Sequence, residues 1–208
     1  MARIQHILNP ATTAVVVVDM QNDFCSPEGA TAKTGRSVQA SNDMLPRLKS
    51  FLEEARSRKV HVAFICVNNT TYTSSEAWAY RASETPRYGN CREGTWGAEL
   101  YQLEAKPGEP IVVKHRNSGF FGTRLDLILR AWKTETVIVV GCATNVSVEA
   151  TARDVVQHDY NLVLLDDCTA AYEQHAHDAT LYNLRTFYGT VIPSAAVLDI
   201  WSSRPGSD

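Results

Sequence analysis

The sequence has no long apolar run and no large excess of charge of either sign. Its longest apolar run, VAFICV at positions 62–67, is much shorter than the roughly 20 residues that a membrane-spanning helix needs. The 208 residues carry a net charge of −3, so the composition provides no basic surface for nucleic acid or for an anionic membrane. We therefore expect neither nucleic acid nor a membrane as a partner.

Paired cysteine motifs are also absent. The five cysteines are scattered and form no CxxC or CxxH pair, so neither a zinc site nor a disulfide framework is predicted. The first ten residues, MARIQHILNP, lack the apolar core of a secretory signal. Reduced thiols fit a cytoplasmic protein best, and that is the location we expect.

The sequence does contain short runs of apolar and β-branched residues that alternate with amphipathic stretches. The predicted strands lie at 13–20, 60–67, 110–115, 135–141, 161–167 and 190–197. Helical spacing predicts helices at 38–58, around 125–132, at 146–158 and at 175–187. Continuous apolar strands alternating with helices predict a doubly wound, mostly parallel six-stranded sheet with helices on both faces. The length suits a single α/β domain over 1–208.

In sheets of this kind ligands bind at the carboxyl ends of the strands. Asp19 ends the first predicted strand, Lys114 ends the third, and a turn at 142–147 that contains Cys142 and Ser147 follows the fourth. The long segment 68–108 has few apolar repeats and is the expected functional loop. An acid, a lysine and a possible nucleophile are therefore predicted at one edge.

These residue types suit acyl transfer to water without a metal. A carboxylate can take the proton of a nucleophile and return it to a leaving amine. An ammonium group can hold the carboxylate, and N–H groups at a helix start can stabilise an oxyanion. Taken singly, each residue is more often a turn residue, a surface charge or a helix cap. Only their coincidence at one edge favours function, and spacing alone leaves both a hydrolase and a lyase open.

Three longer motifs carry a family resemblance. VVVVDMQNDF (15–24), VVKHRNSGFFGTRLDLILR (112–130) and VIVVGCATNVSVEATARDVV (137–156) resemble the isochorismatase-like cysteine hydrolases in order and spacing. GTWGAEL, SGFFGT and NLRTFYG look most like ureidoacrylate amidohydrolases and related hydrolases of carbamoyl amides. Nicotinamidases look less similar, because NNTTYTS stands where their DxHxxH metal motif would be. The resemblance implies the isochorismatase-like hydrolase fold, with no metal and no cofactor.

The resemblance also implies an Asp–Lys–Cys triad. Asp19 matches the base, Lys114 matches the lysine, and Ser147 stands at the position of the nucleophilic cysteine. The family has a non-proline cis peptide that maps to Cys142–Ala143, with the N–H groups of Ala143 and Ser147 as donors to the oxyanion. Cys142 occupies a variable, apolar position and is interpreted as a small buried hydrophobe.

The serine at position 147 predicts much reduced or absent turnover. A hydroxyl is far less acidic than a thiol, and serine enzymes need a histidine or a neutral lysine as the base. Two explanations stay open, namely an introduced Cys→Ser change that holds substrate without turnover, or natural divergence. The otherwise intact motifs favour the first.

The implied substrate is a small ureido or carbamoyl amide. Arg81, Arg87 and Arg92 in the long segment are candidates to clamp a carboxylate on that substrate, and the alternative that each is a surface charge stays open. The predicted substrate-binding residues are Phe24, Asn69, Tyr72, Trp78, Arg87 and Asn117. The family also implies a homo-oligomer.

Two other functions compete with the amidohydrolase. A vinyl-ether hydrolase of the isochorismatase type would use acid catalysis by Asp19 and would tolerate a serine at position 147. A non-catalytic binding homologue would keep the pocket and lack turnover altogether.

Overall fold

A computed structural model describes residues 2–81 and 89–203, in which six parallel strands form one sheet in the order β3-β2-β1-β4-β5-β6. The strands are β1 (Thr13–Val18), β2 (His61–Val67), β3 (Ile111–Lys114), β4 (Thr136–Cys142), β5 (Asn161–Ala170) and β6 (Thr190–Ile192). The α-helices of the described ranges are α1 (Ala2–Ile7), α2 (Asn22–Cys25), α3 (Ala30–Lys33), α4 (Gln39–Ser57), α5 (Glu76–Ala79), α6 (Leu125–Ala131), α7 (Glu149–Gln157), α8 (Gln174–Phe187) and α9 (Ser194–Ser202). The predicted doubly wound parallel sheet is confirmed.

The central strand β1 explains why its sequence is apolar without alternation. All six of its residues are buried, and successive side chains point to opposite faces of the sheet. Val15 and Val17 pack into a core that α4 and α9 cover, whereas Val16 and Val18 pack into a second core under α6, α7 and α8. Among the described residues no helix is both long and apolar enough to cross a membrane.

The sixth strand is shorter than the sequence predicted. The prediction ran to position 197, but β6 ends at Ile192 and Pro193 caps the start of α9. Proline has no N–H group to donate to a strand partner, so the ladder stops there. The apolar residues beyond it form a helix, in which Trp201 is buried and donates a hydrogen bond from Nε1 to Leu8 O at 3.0 Å.

Polar side chains of the first motif bond to described residues at both ends of the segment 68–108. Gln21 is fully buried, and its Nε2 donates to Val67 O at 2.9 Å and to Ala98 O at 2.7 Å. Its Oε1 accepts a hydrogen bond from Val67 N at 2.8 Å. One side chain therefore ties the end of β2 to the far part of the segment.

Asp23 makes the corresponding link on the other side of the segment. Its carboxylate accepts hydrogen bonds from Cys91 N at 2.6 Å and from Ala30 N at 3.0 Å. A Cβ atom at Gly97 would lie 2.1 Å from Asp23 Oδ2, so the absence of a side chain there makes room for the carboxylate.

Gly141 lets β4 end directly against β1. Its φ is +115°, and a Cβ atom at this position would lie 2.1 Å from Val18 O. Residues with a side chain rarely adopt this conformation. The turn that follows β4 therefore begins beside the residue that follows β1, which is Asp19.

We predict that Gly141→Ala lowers the free energy of unfolding by about 3 kcal/mol or more, because it combines a backbone conformation costly for alanine with a direct clash against Val18. Gly108→Ala is the matched control, since Gly108 has φ +92° and no neighbour within 4 Å of an added Cβ. It should cost about 1 kcal/mol. Urea unfolding measures both values, and equal losses would show that the contact with Val18 is unimportant.

Candidate active site

Asp19 and Lys114 form an ion pair at the carboxyl ends of β1 and β3. Lys114 Nζ lies 2.9 Å from Asp19 Oδ2, with the lysine side chain 0% and the aspartate side chain 3% exposed. Asp19 adopts a left-handed backbone conformation with φ +49°, which turns the chain at the end of the strand. Two buried charges are tolerated because each neutralises the other.

The Lys114 ammonium also contacts Ser147. Its Nζ donates to Ser147 Oγ at 3.0 Å and to Arg116 O at 3.0 Å. With Asp19, these acceptors account for the three N–H groups of the ammonium. The structure therefore brings together the three residues that the sequence singled out as catalytic candidates.

Burial raises the pKa of the Asp19 carboxyl above its ordinary value, although the Lys114 ammonium opposes this rise. Asp19 Oδ1 is buried and has no hydrogen-bond partner among the described residues. A carboxylate with a raised pKa and a free oxygen is a better proton acceptor than an exposed aspartate.

The turn after β4 presents Ser147 at the start of a helix. Thr144–Val148 form a π-helical turn that continues into α7, and Ala143 occupies the N-cap position. The peptide bond between Cys142 and Ala143 is cis, at the position that the family resemblance implies. The first N–H groups of a helix lack acceptors within it and carry its positive dipole end, so this turn suits a developing negative charge.

Cys142 lies beneath this turn and is fully buried. Its Sγ lies 3.3 Å from Cys25 Sγ and donates to Asp19 O at 3.3 Å. The contact with Cys25 and burial raise the pKa of the Cys142 thiol well above its usual value. A neutral buried thiol is a poor nucleophile, which agrees with its interpretation as a small hydrophobe.

His177 on α8 supports the same turn and was not assigned a role by the sequence. Its Nδ1 lies 2.9 Å from the hydroxyl of buried Thr144. Burial lowers the pKa of His177 below its ordinary value, which favours the neutral form of the ring. The two residues are 33 positions apart, and no sequence pattern points to their contact.

A cavity of about 150 Å³ opens above Asp19 and Ser147. It is lined by Asp19, Ser147 and Ala143 together with four of the predicted substrate-binding residues, Phe24, Asn69, Trp78 and Asn117. Asn69 Nδ2 donates to Asn90 O at 2.7 Å, which joins two stretches of the 68–108 segment at the cavity wall.

Tyr72 does not line this cavity. Its side chain is 94% exposed and borders a separate groove, together with Arg92. The reason is a tight turn, closed by a 2.9 Å hydrogen bond between the hydroxyls of Thr70 and Thr73, which directs Tyr72 outward. Arg87 lies outside the described residues.

Three arginines line the cavity, of which the sequence had proposed only Arg81. The guanidinium carbons of Arg81 and Arg116 lie 3.5 Å and 4.7 Å from the centroid of the Trp78 ring. That of Arg36 lies 5.9 Å from the Tyr172 ring centroid. Among the described lining residues Asp19 is the only acid, and Lys114 neutralises it, so the cavity is electrostatically positive.

The described residues contain no cluster of three or more histidine, cysteine, aspartate or glutamate side chains that could hold a metal ion. The chemistry available on these residues is that of the carboxylate, the ammonium and the group at position 147.

The isochorismatase domain matches residues 13–196, which include every residue of this site. The chain belongs to the isochorismatase family. The ureidoacrylate amidohydrolase RutB of Caulobacter segnis is 34% identical over 203 residues, covering 90% of this chain and 85% of that protein. RutB of Pantoea ananatis is 34% identical over 197 residues, covering 88% and 79%.

Solved structures share the fold. A cysteine hydrolase from Pseudomonas syringae pv. phaseolicola superposes with a TM-score of 0.84 at 28% identity, over 94% of each chain. An isochorismatase-like hydrolase from Alkaliphilus metalliredigens gives a TM-score of 0.76 at 27% identity, over 91% of this chain and 99% of that chain. The predicted family and fold are confirmed, and the chain is a hydrolase.

We predict that Lys114→Met destabilises the protein by about 3–5 kcal/mol at pH 7, because it leaves the Asp19 carboxylate buried without a partner. Loss of the ammonium raises the pKa of Asp19 further. An acid whose pKa is raised by folding binds its proton more tightly in the folded state, so protonation at low pH favours folding. The stability lost through Lys114→Met should therefore become smaller as pH falls from 7 to 5.

Urea unfolding at the two pH values tests this prediction. The double variant Asp19→Asn with Lys114→Met is the control, and it should be more stable at pH 7 than Lys114→Met alone. A loss independent of pH would show that Asp19 is not the group responsible.

Proposed function

We propose that this hydrolase is an amidohydrolase that cleaves the C–N bond of a small ureido or carbamoyl amide. The observation that carries the proposal is the Lys114 ammonium, which contacts both the Asp19 carboxylate and Ser147 Oγ beside a cavity. The similarity to ureidoacrylate amidohydrolases over most of the chain supports this class of substrate.

The reaction begins with attack by the group at position 147 on the carbonyl carbon of the amide. Asp19 accepts the proton of this nucleophile through Oδ1 and returns it to the leaving nitrogen, which departs as the amine or as ammonia. The N–H groups of Ala143 and Ser147 donate to the tetrahedral oxyanion. Water, activated by Asp19, then releases the acid and restores the nucleophile.

Lys114 acts on two groups at once. Its charge favours the ionised form of Asp19, and its contact with position 147 stabilises negative charge that develops on the nucleophile. A thiol at this position would ionise readily in such a field. A serine hydroxyl has a much higher pKa. The Lys114 ammonium is no substitute base, because its N–H groups donate to Asp19, Ser147 and Arg116 O and an ammonium has no acceptor site. We propose that Ser147 holds turnover well below that of a cysteine form.

The cavity supports a small, negatively charged substrate. A cavity of about 150 Å³ suits a small molecule. Its lining carries Arg36, Arg81 and Arg116 with no acid other than Asp19. Guanidinium groups pair favourably with carboxylates, so we propose an amide that also carries a carboxylate.

We predict that Ser147→Cys increases ammonia release from ureidoacrylate-like amides by about 100-fold or more, because the thiolate forms at neutral pH and the hydroxyl does not. A coupled ammonia assay measures the rates. Asp19→Asn in the Ser147→Cys background is the control and should abolish the gain, since it removes the base.

Two results would contradict the proposal. A Ser147→Cys form that releases no ammonia from a broad panel of ureido and carbamoyl amides would remove the assigned reaction. Turnover of a vinyl ether at a rate independent of the residue at position 147 would instead favour chemistry of the isochorismatase type.

The raised pKa of Asp19 predicts the pH dependence of the Ser147→Cys form. Asp19 must be ionised to accept a proton, so kcat/KM should fall as pH decreases through a pKa above the ordinary value of 3.8, with a slope of one on logarithmic axes. Initial rates between pH 4 and 7 measure this acidic part of the pH profile. A profile that stays flat down to pH 4 would show that Asp19 is not the base.

A further inference from the structure

We propose that Arg36 is the residue that selects substrates with a carboxylate. The inference rests on the proposed function, because it names the group that recognises the acid end of the amide substrate. Three arginines reach the cavity, and their contacts distinguish them.

Arg81 and Arg116 are occupied in holding the cavity wall. Both guanidinium groups lie over the ring of Trp78, and Arg81 also donates to Trp78 O. Arg116 Nη1 donates to Thr73 O at 3.0 Å and to His115 O at 2.6 Å. These bonds join the segment after β2 to the segment after β3, and they direct part of each guanidinium toward backbone carbonyls.

Arg36 is not held by hydrogen bonds of this kind among the described residues. Within residues 2–81 and 89–203 it makes no hydrogen bond and no ion pair, and its guanidinium group faces the ring of Tyr172. It follows Gly35, whose φ of +84° turns the chain between α3 and α4. The N–H groups of an arginine are all donors, so this side chain reaches the cavity with its donors available to a ligand.

The ring of Tyr172 lies next to this guanidinium. The tyrosine lines the cavity, and its hydroxyl donates to Phe24 O at 3.4 Å, which fixes the ring. The guanidinium carbon of Arg36 lies 5.9 Å from the centroid of this ring, within reach of a cation–π attraction. The fork of guanidinium N–H donors matches the two oxygens of a carboxylate. Asp19 does not compete for these donors, because its Oδ2 is bound to Lys114.

The arrangement places recognition and reaction on one small cavity. Ser147 and Arg36 both line it, so one molecule can present its carbamoyl group to position 147 and its carboxylate to Arg36. The sequence offered Arg81, Arg87 and Arg92 as candidates for this clamp. Arg36 lies more than forty positions before Arg81, in the segment TGRSV, and was not among them.

Binding to the chain as it stands tests the role of Arg36 without turnover. The probes are 3-ureidopropionate and its neutral carboxamide analogue, titrated by calorimetry. Arg36→Gln should weaken binding of the carboxylate at least 10-fold and change binding of the carboxamide less than 2-fold. Arg36→Lys should lie between, because lysine keeps the charge and loses the two-pronged geometry.

Lys33→Gln is the matched control. Lys33 is an exposed cation at the end of α3 that does not line the cavity, so its replacement removes the same charge and should leave both affinities unchanged. Equal weakening of both probes by Arg36→Gln, or no weakening of either, would overturn the assignment. So would a parallel effect of Lys33→Gln, which would indicate a general charge effect.

The two proposals fail separately. If the carboxylate binds and depends on Arg36, but Ser147→Cys hydrolyses no amide, the proposed reaction is wrong and the binding role of Arg36 stands. If Ser147→Cys hydrolyses the carboxylate and the carboxamide equally well, the reaction stands and the role of Arg36 is wrong. A chain that binds neither probe overturns the role of Arg36.

Discussion

The site depends on the fact that Asp19 and Lys114 are buried together. A single charge in this place would be expelled or neutralised, so the pair survives only where the ends of β1 and β3 bring the two groups within contact. The left-handed turn at Asp19 and the close approach of Gly141 to Val18 serve that geometry. Together, these two backbone features bring the helical turn that contains Ser147 next to the ion pair.

Because one ammonium contacts both the Asp19 carboxylate and Ser147 Oγ, the electrostatics of these two groups are linked. Anything that moves Lys114 alters the proton affinity of Asp19 and the stability of negative charge at position 147 together. The side-chain atom at position 147, sulfur or oxygen, then decides how strongly this positive field stabilises negative charge there. Sulfur can carry the charge at neutral pH, and oxygen can carry it only in the transition state.

The strands and the meeting of Asp19, Lys114 and Ser147 at one edge of the sheet were accessible from the sequence because both follow from local patterns. Apolar runs such as that of β1 specify a strand buried on both faces, and a strand end fixes where Asp19 must lie. The orientation of Tyr72, the end of β6 at Pro193 and the role of Arg36 were not accessible. They depend on a hydroxyl bond within a turn, on a helix that begins after a proline, and on an aromatic ring 136 positions away in the chain, at Tyr172.

The hydrogen bonds of Asp23 bear on how a site of this kind can evolve. Its carboxylate accepts one hydrogen bond from the backbone N–H of Ala30 and another from that of Cys91. Each of these residues is next in the chain to a residue that lines the cavity, Thr31 and Asn90. One side chain therefore joins the two stretches of chain, and an insertion elsewhere in either stretch would leave these two hydrogen bonds in place. Divergence toward new substrates would then proceed by exchanging the side chains that face the ligand, as at Arg36, and the frame around them would stay the same.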